Sequence, residues 1–543
     1  MGILPAARNK KYEEFTMAIK ARALFITTLA MTSGTALAGA HGESFSTCGT
    51  DAHAAHTSLA GAGIIPARAL EYHLSDDQIA ALNQPQRDMM MSFERLVHEG
   101  NMAPHVCMHP DTDPKVAEAF EQFLNNLWFA ENPNSFILST RWTRTATDGS
   151  GLSQGDPTTL TYSFVPDGTN ISGQGPSDLI NFMDTQIGSG TWEALYQTAL
   201  DAWGEVSGLT YVREMNDDGG SITGGSSNNG ILGVRGDVRI AGDFLDGNSG
   251  VLAYNFFPNA GDMVMDTGDV NFFRSSSNNY IRLRNVVTHE AGHGIGLAHV
   301  ESDSNRFLME PFIDISFSGP QIDDVRGAQR GYGDMDENNN SFATASDLNQ
   351  IFFGDATPIM GGQSVIASTR STDDNADIDY FTFVTSEPVS LNTFLGPSGG
   401  SYQITGQGGG GGGSFFNASA VSDLNFKIIN STLTTLYDVD NTGTGQSESQ
   451  IVELPDPGQY YLVVDSSNVN NIQTYDIVMF TSTLVVETCD ADLNGDGELD
   501  FLDISEFLAA YSAEDPAADF NGDMEFDFLD ISAFLTSYTD GCP

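Results

Sequence analysis

Apolar residues recur every three to four positions in SDDQIAALNQPQRDMMMSFERLVHEG and VAEAFEQFLNNLWFA, which predicts amphipathic helices and a mostly helical region over 41–138. From Arg141-Trp142 the texture changes. LTYSFV reads as a strand, TWEALYQTALDAWGEV as a helix and LTYVRE as a strand; a Gly/Asn-rich loop then leads to the strands GDVRIAG and VLAYNFF. Strands and helices in one compact unit predict an α/β or α+β domain over 139–334. The polar, Asn- and Asp-rich run DMDENNNSFATASDLNQ reads as a linker, placed at 335–350. Over 351–486 the β-prone segments YFTFV, FKIIN, YYLVVD and YDIVMF alternate with turn residues, as in an all-β sandwich. Six consecutive glycines, 408–413, interrupt it and read as a flexible loop without chemistry. The tail, 489–543, holds an internal repeat: DLNGDGELDFLDISEFLAAY from Asp492 recurs as DFNGDMEFDFLDISAFLTSY from Asp519, 27 residues on. The chain is therefore expected to be multidomain, its last part a small α-helical module.

Composition narrows the classes of function. The 543 residues include 34 Phe and are 40% hydrophobic, enough for several cores. Lys+Arg number 22 against 73 Asp+Glu, a net charge of −51 that repels phosphate backbones and acidic membrane surfaces, so no nucleic-acid partner is expected. The carboxylate surplus suits divalent cations, Ca²⁺ above all, and simple solubility accounts for it equally well. Residues 1–40 read as a secretory signal peptide that starts at Met1 or at Met17: Lys20 and Arg22 precede a short apolar run, and cleavage after Ala38 (Ala36-Leu37-Ala38) or after Ala40 fits the small-residue rule. No later stretch has the ~20 apolar residues of a membrane span. A secreted, extracellular protein follows, with attachment to a cell surface left open. The four cysteines, Cys48, Cys107, Cys489 and Cys542, allow three full disulfide pairings.

The strongest chemical signal is His289-Glu290-Ala291-Gly292-His293-Gly294-Ile295-Gly296-Leu297-Ala298-His299. His289 and His293 stand one turn apart on one helix face, so both imidazoles can converge on a zinc ion, and Glu290 can act as general base on a zinc-activated water. Gly296 provides the freedom to end the helix and swing His299 back as a third ligand. Three His ligands leave a fourth position open, as in catalytic zinc sites. Met309, ten residues later, would floor the site in a turn. No His occurs between residues 110 and 288 or after His299.

These blocks together resemble the matrixin branch of the metzincin metallopeptidases, the group of the matrix metalloproteinases. STRWTRTAT with LTYSFVPDGT is similar to the family's first strand, LAYNFFP to its upper edge strand, HEAGHGIGLAH with FLMEPF to its zinc helix and Met turn, and QIDDVRGAQRGYG to its terminal helix. The resemblance implies an α+β fold with a mixed five-stranded sheet and an active-site helix, and a secreted zinc endopeptidase made as a zymogen, acting on protein or peptide substrates. It further implies that the strand around 252–257 pairs with an extended substrate and that Pro311 and Phe312 wall the specificity pocket. Where the family holds a second, structural zinc, this chain has Arg239, Ala241, Tyr254 and Val264, so one zinc is expected. Asp246, Asp266 and Asp269 stand where the family has a Ca²⁺ site, with ordinary solvated loop Asp as the competing reading.

Cys107-Met108-His109-Pro110-Asp111 has the C-x-x-P-D spacing of the matrixin cysteine switch, in which a thiolate fills the zinc's open position. A disulfide, with Cys48 for instance, and a free thiol are the other readings of Cys107. In the tail, Asp492, Asn494, Asp496, Asp500 and Asp503, then Asp519, Asn521, Asp523, Asp527 and Asp530, alternate as oxygen ligands of two calcium loops. Gly497 takes the sharp turn of the first, and Met524 replaces it in the second, which predicts weaker binding there. The paired loops resemble a type I dockerin, implying a cohesin-like or surface partner. The sandwich resembles the bacterial pre-peptidase C-terminal type through DIDYFTFV and YYLVVD, with a spacer or substrate-adhesion role and a purely structural one as the competing readings. The rival to the peptidase is a non-catalytic extracellular adhesin or calcium-dependent scaffold-binding protein with a vestigial peptidase domain. The intact set of His289, Glu290, His293 and His299 favours the enzyme.

Overall fold

The structure, a computed structural model, describes residues 70, 73–127, 140–225, 229–302, 306–373, 377–406, 414–467, 470–484 and 489–541. The expected signal peptide, Cys48, Cys542 and the glycine run lie outside these residues.

In the amino-terminal region, helices α1 (Asp76–Ala81) and α2 (Gln84–His98) start at Ser75 and Asn83, whose side chains accept from the third backbone N–H of each helix. Helix α3 (Pro114–Leu127) completes a small core, in which Met89, Met90 and Phe93 of α2 pack with Phe120, Phe123 and Leu124 of α3. Between α2 and α3 the chain departs from the helical expectation: His105–Met108 is a strand, β1. The β-branched Val106 and its neighbours have no helical face to join, and the strand finds an open sheet edge instead.

That edge belongs to the next region, which comprises β2 (Thr158–Phe164), α4 (Thr191–Gly204), β3 (Leu209–Arg213), β4 (Val238–Asp243), β5 (Val251–Asn255), β6 (Met263–Asp266), α5 (Ile281–Gly294), β7 (Val300–Ser302) and α6 (Ile322–Tyr332). The sheet order is β1-β5-β6-β4-β2-β3, with β5 antiparallel to both neighbours and the other pairs parallel. The sheet has six strands rather than five because β1 is added to it. Trp192, Tyr196 and Trp203 of α4 and Leu283, Val286 and Val287 of α5 pack against one face with Leu160, Ile240 and Met265. On the other face Ala241, Tyr254 and Val264 meet the helices of the amino-terminal region.

Residues 335–350 are more than a linker. Asp334 accepts from the Ser371 N–H, Asp336 pairs with Arg370, and Ser346–Asp347 forms a short parallel strand pair. Asn and Asp side chains bind backbone groups locally, so a polar run of this composition can be ordered without an apolar core. Beyond it, β8 (Ser364–Thr372), β9 (Asp379–Thr385), β10 (Val389–Pro397), β11 (Ser401–Gly406), β12 (Ser414–Asn417), β13 (Leu424–Asn430), β14 (Thr435–Val439), β15 (Glu448–Leu454), β16 (Gly458–Ser466) and β17 (Gln473–Thr483) follow. Two sheets, β8-β17-β10-β15 and β9-β16-β13-β14 with Ser346–Asp347 on its edge, enclose Phe381, Phe383, Leu391, Phe426, Leu462 and Ile477. A third sheet, β12-β11-β7, carries a hairpin of this region onto the segment that follows His299. In the tail, helices α7 (Phe501–Ser512) and α8 (Phe528–Asp540) stack Phe507 on Phe534 at 4.1 Å, as the internal repeat requires of two equivalent helices. No helix among the described residues is long and apolar enough to cross a membrane.

Candidate metal centre

Two tryptophan-anchored helices set the position of the site. Trp203 Nε1 of α4 donates to the Thr288 carbonyl at 2.8 Å, and Thr288 Oγ1 donates back to Ala199 at 3.1 Å, which fixes α5 one residue before His289. Helix α5 ends where Gly296 takes φ 109°, and the chain turns to bring His299 back, as expected from the glycine. The three Nε2 atoms lie 3.1 Å (His289–His293) and 3.2 Å (His289–His299 and His293–His299) apart. A tetrahedral zinc at Zn–N of about 2.0–2.1 Å requires an edge of about 3.3 Å. The donor set therefore fits zinc.

The tautomers are fixed by carbonyls. His289 Nδ1 lies 2.6 Å from the Leu308 carbonyl and His293 Nδ1 2.7 Å from that of Leu297. A carbonyl only accepts, so each Nδ1 carries the proton and each Nε2 presents a lone pair. Burial holds all three imidazoles neutral, the ligating form, with His289 lowered to about 4 and His293 and His299 well below their usual value. Leu308 and Met309 N–H donate to Asp324 of α6 at 2.8 and 3.1 Å, and Met309 lies directly beneath Gly292. Glu290 is fully buried in the same pocket, and burial pushes its carboxyl up to about 8. The thiol and backbone of Cys107 contact it and partly offset that rise.

Cys107 is a free, buried thiol, which removes the disulfide reading, and burial followed by Glu290 pushes its pKa up. Cys489 is disulfide-bonded, so its partner lies outside the described residues. The residue that joins the imidazole cluster is one that sequence reasoning did not select. A ring nitrogen of His105 lies with those of His293 and His299 within 4.8 Å of one another, and its ring is 5.0 and 5.4 Å from theirs. Burial lowers His105 to about 3. Its only sequence signal was its place two residues before Cys107.

Strand β1 occupies the cleft on both sides. It pairs antiparallel with β5, His105 opposite Asn255 and Cys107 opposite Ala253, while Met108 N–H donates to the Pro311 carbonyl at 2.9 Å and Ile313 N–H to that of Met108 at 3.1 Å. Phe312 lines a cavity of about 580 Å³ with His109, Phe272, Arg282 and Ile313.

At the expected calcium position, Asp246, Asp266 and Asp269 surround one loop. Asp266 accepts from the N–H groups of Leu245, Asp246, Gly247 and Gly268, Asp269 from Ser249, and Asp246 from Val251 and Gln86 Nε2. Asp246 Oδ1 and Asp269 Oδ2 remain buried without a partner, and burial raises all three carboxyls, Asp266 and Asp269 to about 7. Where relatives were expected to hold a second zinc, the Arg239 guanidinium is buried against Asp217, and Ala241, Tyr254 and Val264 are taken up in apolar packing. A further carboxylate group, Glu337, Asp377 and Asp379, has oxygens within 4.8 Å of one another; the sequence pattern places the first in the linker and the other two in the sandwich segment DIDYFTFV, without assigning them a site.

In the tail, Asp492 accepts from Gly495 and Gly497 N–H, and Asp503 from Leu493 and Asp500; Asp519 and Asp530 repeat this with Met524 and Asp527. Asn494 and Asn521 each accept from the aspartate two residues on, Asp496 and Asp523.

Part of the chain is similar to proteins of a known family. The matrixin family model matches residues 179–333, which contain α4 to α6, the three His and Met309. Residues 179–333 form a matrixin domain. This matrixin segment is similar to that of matrix metalloproteinase-17 of Homo sapiens, 31% identical over 157 residues, 26% of this chain and 22% of that protein. Macrophage metalloelastase of Oryctolagus cuniculus is 31% identical over 183 residues, 32% of this chain and 36% of that one. Interstitial collagenase of Bos taurus is 35% identical over 143 residues, 25% and 27% respectively. The chain thus spans about a fifth to a little over a third of these relatives' lengths. A solved pre-peptidase C-terminal domain of a collagenase from Bacillus anthracis aligns over 24% of this chain and 95% of its own at 14% identity, with a TM-score of 0.15.

Proposed function

We propose that this chain is a secreted zinc endopeptidase made in a latent form. One observation carries the reading: three neutral imidazoles meet at zinc spacing in a pocket that also holds a buried carboxyl, Glu290, one residue from the first ligand. His289, His293 and His299 would hold the ion. Held by these three residues, a zinc would supply Lewis acidity toward a scissile carbonyl and toward water, whose pKa such sites bring to roughly 7.

The chain's own residues account for the rest. Glu290, buried in the same pocket one residue from the first ligand, accepts a proton from the attacking water and delivers it to the leaving amine. An extended peptide would take the place of β1, pairing with β5 on one side and with Pro311 and Ile313 on the other, as β1 does now. The amino-terminal region must leave the cleft first. The paired acidic loops support calcium-dependent stability of the tail, and their dockerin-like pattern supports a docking partner on a surface or scaffold.

The test compares casein cleavage by the full chain, by the chain lacking residues before 139, and by the shortened Glu290→Ala variant. Cleavage by the shortened form alone is expected. Inactivity of the shortened form with one zinc bound would favour the adhesin reading.

A further inference from the structure

We propose that His105, rather than Cys107, is the residue of the amino-terminal strand that ligates the catalytic zinc in the latent protein. This rests on the zinc reading above and assigns a fourth ligand to it. Register and geometry carry it. In β1 alternate residues face opposite sides. Val106 and Met108 enter the apolar core of the amino-terminal helices, so His105 and Cys107 both face α5. They reach different points along it. His105 stands opposite Asn255, whose amide lies against the carboxy-terminal end of α5 at Gly294, the end that carries His293. Cys107 stands opposite Ala253, about 6–7 Å further along the strand, and meets Glu290. A ring nitrogen of His105 therefore falls within 4.8 Å of ring nitrogens of His293 and His299, with its ring beside both. The thiol falls on the general base.

One strand thereby blocks both elements of the site. His105 fills the coordination position that a substrate carbonyl and water would need, and Cys107 covers the carboxylate that would move the proton. A fourth neutral nitrogen closes the zinc as in structural sites, where four protein ligands leave no exchangeable position. Phe257 supports the assignment, since its ring packs edge-on to His105 at 4.7 Å and holds the imidazole against the cluster.

The test is zinc-edge X-ray absorption and chelator competition on the zinc-loaded full chain and its His105→Ala, His105→Gln and Cys107→Ser variants, with circular dichroism to confirm folding. Four imidazoles and no sulfur are expected in the unmodified chain and in Cys107→Ser. Three imidazoles and an oxygen are expected in both His105 variants, with zinc retention down at least about tenfold, since losing even an indirect partner of a ligand has that effect. A sulfur at about 2.3 Å that disappears in Cys107→Ser would overturn the proposal, as would a three-imidazole shell unchanged by His105→Gln. Either result leaves the zinc reading intact. Failure of the unmodified chain to bind one zinc would overturn both.

Discussion

Gly292 and Met309 are in contact so close that a methyl group on Gly292 would lie 2.3 Å from Met309 Sδ, with Trp203 a further 2.9 Å neighbour. The glycine between His289 and His293, the two helical histidines of the proposed zinc site, is thus set by the side chain beneath it. Gly292→Ala must push Met309 or α5 away, and overpacking of this kind costs about 1–3 kcal/mol. The expected outcome is a lower unfolding midpoint together with weaker zinc retention, read by thermal denaturation and chelator competition. Wild-type values for both would show that the Met309 turn yields freely.

Asp217 and Arg239 make a second such pairing. Arg239 is fully buried, and Asp217 takes its guanidinium through both carboxylate oxygens while also accepting from Ser163 Oγ. Removing one partner of a buried pair strands the other's charge, typically at about 3–5 kcal/mol. Asp217→Ala should therefore destabilise the matrixin domain strongly, whereas the double change Asp217→Leu with Arg239→Met should recover much of the loss. All four Trp lie between residues 128 and 203, so tryptophan fluorescence in urea follows this part of the chain. Metal analysis of the same samples should find one zinc per chain, and a second equivalent would contradict the pairing as a replacement for a metal.

What could be read from the residues alone divides along these lines. His289, His293 and His299 were legible because one helical turn and one glycine turn fix their convergence locally. Met309 was legible for a related reason, as a turn at short range. His105 was not, because its meaning lies in a register with β5 that joins residues 150 apart, His105 to Asn255. Cys107 drew attention through its spacing, yet strand alternation delivers its thiol to Glu290. The Asp217–Arg239 pair crosses a Gly/Asn-rich loop whose path no periodicity records, and the polar run after Gly333 hides its order in side-chain to backbone hydrogen bonds.

The pH dependence of stability follows from the buried carboxyls. Burial lifts Asp262, Asp266, Asp269, Glu310 and Asp324 to about 7, above the ordinary values of an unfolded chain. A group raised in the folded state binds its proton more tightly there, so its contribution is fully present below the unfolded pKa and is lost as pH rises through about 7. In chelator, the unfolding midpoint should therefore fall between pH 5 and pH 8. Calcium should restore more at pH 8 than at pH 5, since carboxylates must be deprotonated to ligate. A midpoint that climbs with pH in chelator would refute the assignment.

Met524 tests how far a single backbone angle would limit cation binding in the proposed calcium loops of the tail. Gly497 in the first loop has φ 81°, and Met524 at the same place in the second has φ 65° with its side chain exposed. The left-handed region suits glycine and costs other residues about 1–2 kcal/mol, and nothing packs on the Met524 side chain to offset that. Met524→Gly should tighten calcium binding at the second loop by at least about fivefold, since 1.4 kcal/mol corresponds to tenfold, and Gly497→Met should weaken the first by a similar factor. Calorimetric titration of the full chain separates the two. Because Asp519 accepts from the Met524 N–H as Asp492 accepts from that of Gly497, the ligand frames already match. An unchanged second affinity in Met524→Gly would mean that the difference between the loops lies in their ligands and not in this angle.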